Sequence, residues 1–66
     1  MTIHKVIEVL AYSTVGWEEA GSQAILKASE SVKNIESIYI KDQSAKVENN
    51  KITQYRINAQ ITFRVE

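Results

Sequence analysis

The stretch YRINAQITFRV, residues 55–65, alternates with almost no interruption. In an extended chain Tyr55, Ile57, Ala59, Ile61, Phe63 and Val65 fall on one side, and Arg56, Asn58, Gln60, Thr62 and Arg64 on the other. This is a strand with a dry face and a polar face. Just before it stands ENNK, residues 48–51. Two consecutive asparagines tolerate the positive φ angles of a tight hairpin, so the strand predicted over Ile52 to Glu66 returns antiparallel on the one before it, Ile35 to Glu48. In that preceding strand the alternation puts Ile38, Ile40 and Asp42 on one side, and Ser37, Tyr39, Lys41 and Gln43 on the other.

Farther upstream the period changes from two to three or four. Trp17, Ala20, Gly21, Ala24, Ala28 and Val32 form one apolar helical stripe with Ile25 at its margin, and the stripe is built mostly of small residues. Ser13 or Thr14 is placed to cap the start, Glu18 and Glu19 favour the positive helix end, and Lys33-Asn34 ends the helix, because asparagine tolerates the left-handed conformation. The periodic position of Trp17 reads as a core anchor. Before the helix, Thr2 to Tyr12 (TIHKVIEVLAY) reads as a first strand. The order is β-α-β-β. A right-handed crossover makes the first two strands parallel and leaves a slot between them for the third. The expected fold is α+β: a three-stranded sheet ordered 1-3-2, with one helix on one face and the third strand central.

The 66 residues make one domain, 1–66, with no linker, repeat or proline. A domain of this size buries only about 60% of its unfolded surface. Disulfides, metals and oligomerisation are the usual supports for such chains. With no cysteine and a single histidine, His4, oligomerisation is the one left. One helix can cover one face of the sheet, yet the far face carries Tyr39, Ile52 and much of the first strand's apolar side. Self-assembly would cover that face and the two open edges.

Eight basic and eight acidic residues are mixed along the chain and cancel, so the clustered positive charge that phosphate binding needs is missing, and no nucleic-acid role is expected. No leader pattern and no apolar run near 20 residues are visible, so the reading is a cytoplasmic protein with no membrane span. Catalysis is not expected either. Gly16 and Gly21 are the only glycines, so no phosphate-cradling loop exists; Glu18 and Glu19 point about 100° apart on a helix, and His4 has no nucleophile near it in sequence.

Taken together, KVIEV in a first strand, YS leading into a helix, WEEA in its first turn, ASESVKNI leaving it, KDQ in the second strand and ITQYRINAQITFRVE at the end resemble the dodecins over essentially the full chain. The resemblance rests on the order and spacing of all six. It implies a homododecameric shell that stores or sequesters a small ligand between subunits, commonly a flavin such as FMN or riboflavin. At the two positions that contact flavin in that family this chain differs. Ser37 stands where the stacking tryptophan is expected, and Arg56 stands where a glutamine pairs with the ring edge. Tyr39, Asn58, Gln60 and Arg64 are the expected neighbours of that pocket. Family members lacking the tryptophan, some of them associated with calcium, resemble this chain more. Calcium takes six to eight oxygens. The acids Glu8, Glu36, Asp42 and Glu48 show no ligand-loop spacing, so Glu36 and Asp42 are candidates only where symmetry brings copies together. Two readings follow: a ligand-sequestering shell with altered pocket chemistry, or a structural or calcium-associated shell with no organic ligand.

Overall fold

The structure is a computed structural model and describes residues 2–65. Strand β1 spans Ile3–Ser13, helix α1 Trp17–Ala28, strand β2 Ile35–Glu48 and strand β3 Lys51–Val65. The sheet order is β1-β3-β2, with β3 antiparallel to both neighbours. The predicted α+β architecture is therefore present; Glu66, which the sequence placed at the end of the third strand, lies outside the described residues.

Local chemistry sets the boundaries. Asn49 and Asn50 both hold positive φ, 52° and 64°, between the paired Glu48 and Lys51, giving the two-residue turn that matches strand twist. Ahead of the helix the Ser13 hydroxyl accepts the amides of Val15 and Gly16 at 2.9 and 3.4 Å, so Ser13 orders the entry while the cap position itself falls to Gly16. The helix ends earlier than its apolar stripe predicts, at Ala28 instead of Lys33-Asn34. Serines explain the difference. Ser29 donates its hydroxyl to the Leu26 carbonyl at 2.6 Å, and the amides of Glu30 and Ser31 bond three residues back, so the chain tightens and leaves the α-helical path. Asn34 does adopt the left-handed conformation, φ 62°, but as the entry to β2, where its carbonyl accepts the Arg64 amide at 3.0 Å.

The core sits where α1 crosses β3. Ala20, Ile57, Ala59 and Ile61 are at most 2% exposed, with Val9, Ala11, Trp17 and Ile38 packed around them. Trp17 is the anchor that its place on the stripe predicts, and it does more. Its ring meets Tyr55 edge-on at 4.8 Å, and its Nε1 donates to the Ser44 carbonyl at 2.9 Å, which ties the helix start to the β2-β3 hairpin.

One part of the sequence reading is corrected by the register. β2 slips by one residue between Ile40 and Asp42, so Asp42 pairs with Asn58, and Gln43 with Ile57. A one-residue slip turns every following side chain to the other face. Asp42 therefore joins Ser37 and Tyr39 on the far side of the sheet, away from Ile38 and Ile40, and Gln43 turns toward the helix side.

Candidate functional site

The register stacks the far face into rungs that run across all three strands. Tyr12, Arg56 and Ser44 form one rung; Leu10, Asn58 and Asp42 the next; then Glu8, Gln60 and Tyr39; then Val6, Thr62 and Ser37. Beyond these, His4 lies opposite Arg64, and the extra residue of the first β2 bulge, Glu36, reaches over to both. His4 Nε2 lies 2.7 Å from Glu36 Oε1, and Arg64 Nη1 lies 3.6 Å from Glu36 Oε2. Cross-strand neighbours on one face are the pairs that touch in a sheet, so this ladder decides which side chains share a site.

The first two rungs enclose a concavity of about 300 Å³ lined by Leu10, Tyr12, Asp42, Ser44, Arg56 and Asn58. Inside it the Arg56 Nε and the Asn58 Oδ1 are buried and have no hydrogen-bond partner among the described residues. Unmade bonds of this kind cost about 1–3 kcal/mol each, which marks the place as one that something else completes. Asp42 has no ion pair or hydrogen bond among the described residues. The concavity thus offers the Arg56 N–H donor and the Asn58 carbonyl acceptor on the central strand, the Asp42 carboxylate and the Ser44 hydroxyl on the β2 side, and Leu10 with the ring and hydroxyl of Tyr12 on the β1 side.

Of the residues singled out in the sequence, Arg56, Asn58 and Asp42 are brought together here. Ser37 is not. It sits opposite Thr62 while Arg56 sits opposite Ser44, six positions apart on β3 and so about 20 Å away along the strand. Tyr39 and Gln60 share the rung between, with Lys41 Nζ 3.5 Å from Glu8 Oε2 beside them. Arg64 belongs to the His4–Glu36 cluster at the far end, so Glu36 is engaged by a histidine and an arginine. Leu10, Tyr12 and Ser44 were not foreseen as site residues. The β2 bulge and the β1 register bring them in, and neither is written in local periodicity.

The geometry suits binding. Neither the Ser44 nor the Tyr12 hydroxyl is hydrogen-bonded to a histidine or carboxylate among the described residues, the pairing that activates a nucleophile. Among those residues no three His, Cys, Asp or Glu side chains converge on a metal position, and no helix is long and apolar enough to cross a membrane. Two groups can be tested against the donor set. A flavin ring meets no stacking partner at Ser37, whose rung holds only Thr62 and Val6. A calcium ion would find the Asp42 carboxylate and the unpartnered Asn58 Oδ1 on one rung, with Ser44 adjacent, short of the six to eight oxygens it takes.

Comparison with known proteins agrees with this architecture. The family model for Dodecin matches residues 3–66. The calcium dodecin of Mycobacterium tuberculosis is 29% identical over 65 residues, covering 98% of this chain and 92% of that protein. A crystal structure of that calcium dodecin, described as a calcium-chelating immunodominant antigen with a novel calcium-binding site, aligns at TM-score 0.81 and 31% identity, covering 97% of this chain and 91% of the other. A mutant of the T. thermophilus dodecin aligns at TM-score 0.93 and 20% identity, covering 100% of this chain and 98% of the other, which speaks for the fold alone.

Proposed function

The chain belongs to the dodecin family, and on that premise we propose that it is a non-enzymatic cytoplasmic protein that assembles as a homododecamer and holds a small ligand at sites between subunits. The observation that carries this reading is how little one chain buries. Its accessible surface is 4976 Å², against about 4,250 Å² for a compact monomer of its mass. Its radius of gyration is 13.5 Å, where a compact domain of this length has about 11 Å. Among the described residues only Ala20, Ile57, Ala59 and Ile61 are buried, a small core for so extended a chain, which supports a reading in which further copies add the missing burial.

The ligand differs from the family's flavin in this reading. Ser37 gives no ring to stack on, and Arg56 donates but cannot accept as a glutamine carbonyl does. Purifying the protein without added ligand and recording its absorbance and intact mass tests this: a colourless protein, with FMN and riboflavin fluorescence left unquenched in titration, is expected. Tight quenching by the wild type would overturn it.

A second reading, an ion-stabilised shell with no organic ligand, is favoured by the Asp42 carboxylate beside the unpartnered Asn58 Oδ1 and by the calcium dodecin relative. One chain supplies too few oxygens, so the ion would lie where copies meet. The Arg56 guanidinium in the same concavity opposes it. Elemental analysis of protein dialysed against a chelator and then against calcium decides between the readings: stoichiometric calcium lost on Asp42→Asn supports the second.

A further inference from the structure

Opposite charges share the concavity of the first rungs and do not pair with each other. The register sets Asp42 opposite Asn58 and Ser44 opposite Arg56, so Asp42 and Arg56 are diagonal neighbours on one face of β2 and β3, about 7–8 Å apart across the ladder and within reach of a long side chain. Neither makes an ion pair or hydrogen bond among the described residues. Elsewhere on the described strands the acids are taken: Glu8 by Lys41, Glu36 by His4 and Arg64, and Glu48 by Lys46. The Arg56 Nε and the Asn58 Oδ1 are moreover buried without a partner. Buried polar groups are nearly always hydrogen-bonded, so Asp42, Arg56 and Asn58 call for a common occupant.

The chemistry of these groups limits what fits. The Arg56 Nε donates, so it takes an acceptor and favours an anionic one; the Asp42 carboxylate and the Asn58 Oδ1 accept, so they take donors, and the carboxylate favours a cationic one. The charges of Asp42 and Arg56 cancel, so the matching occupant carries both signs and no net charge. A bare anion would leave Asp42 unpaired, and a bare cation would leave Arg56. The space is about 300 Å³, at the low end of the about 300–1,000 Å³ usual for small-molecule sites. Leu10 and Tyr12, each more than half exposed in the single chain, give it an apolar wall. We propose that the concavity binds a small zwitterion of the α-amino-acid type with an apolar side chain. Its ammonium donates to the Asp42 carboxylate and the Asn58 Oδ1, its carboxylate accepts from the Arg56 Nε, and its side chain lies against Leu10 and the Tyr12 ring. The inference rests on the small-ligand reading above and deepens it by naming the ligand's class.

Isothermal titration calorimetry of protein dialysed against a chelator tests this with L-leucine, L-methionine and L-phenylalanine, each beside its amine-free and its carboxylate-free analogue; for leucine these are 4-methylpentanoate and 3-methylbutylamine. At least one amino acid is expected to bind, with both its analogues at least about tenfold weaker, the loss of one charge-assisted hydrogen bond. Asp42→Asn should weaken the amino acid by a similar factor and leave the amine-free analogue unchanged. Arg56→Met should weaken it likewise and leave the carboxylate-free analogue unchanged. Glu18→Gln, in the first turn of α1, removes an acid away from the concavity and is the control. Far-UV circular dichroism confirms folding, and should either variant fail to fold, the analogue series on the wild type decides. An analogue that binds as tightly as its parent overturns the proposal. So does a small molecule that the natively purified protein retains in its mass spectrum and that none of the three amino acids displaces, an outcome that leaves the small-ligand reading standing. A protein that retains nothing and binds none of the probes overturns both.

Discussion

Gly21 lies inside the twelve-residue helix α1, on the face turned to the sheet, and replacing it with alanine is expected to stabilise the protein. The stripe of small residues suggests that the helix needs glycine there to lie close. The geometry says otherwise: a Cβ at Gly21 would meet Ile38 Cδ1 and Ile57 Cδ1 at 4.0 Å each, ordinary van der Waals contact, and the backbone has no positive φ that only glycine would adopt. Alanine is favoured over glycine in a helix interior by about 0.8–1.0 kcal/mol, and burying one methyl against two isoleucines adds up to about 0.8 kcal/mol. Gly21→Ala should therefore gain about 1–2 kcal/mol, a rise in Tm of at least about 4 °C for a domain of this size. Urea and thermal unfolding followed by circular dichroism measure it, at a fixed chain concentration because an oligomer's Tm depends on concentration. Gly21→Leu, which overfills the same gap, should lose about 1–3 kcal/mol. A destabilised Gly21→Ala would refute the reasoning, since it would mean that the helix rides closer to β2 and β3 than described.

Ile61, with no exposed surface at the centre of β3, should lose about 2–5 kcal/mol on substitution by alanine, read from the urea midpoint. In the hairpin, Asn49→Ala should cost about 1–2 kcal/mol by forcing alanine to positive φ, while Asn50→Gly should leave stability unchanged or raised. Trp17→Phe removes the N–H donated to the Ser44 carbonyl and should cost about 1 kcal/mol in the same assay. Ser37→Trp with Arg56→Gln should raise flavin affinity at least about tenfold in a fluorescence titration, through restored stacking and burial, with the assembly mass unchanged; no gain in an intact assembly would show that the flavin positions are misplaced.

The alternation of β3 and the Asn49-Asn50 turn made the hairpin, the sheet order and the dry face legible, because strand period and turn chemistry are local. The end of α1 was less so. Its apolar stripe continues to Val32 after the backbone has left the helix, since hydrophobic spacing does not register the side-chain bond of Ser29 to the Leu26 carbonyl. For the candidate site, Arg56 and Asn58 were legible from the polar face of one strand. Asp42 was named but set on the wrong face, because a bulge is an extra residue that alternation cannot reveal. Tyr12, Leu10 and Ser44 enter only through pairing with β3. Ser37 and Arg56, joined by family resemblance, lie on rungs six positions apart, so a ligand touching both would be long or would bridge two copies.

Native mass spectrometry of the protein as purified, at micromolar chain concentration, tests the central claim most directly. The account predicts one dominant species of roughly 90 kDa, twelve chains of 7.5 kDa in a closed symmetric shell. A spectrum dominated by monomer or dimer would contradict it.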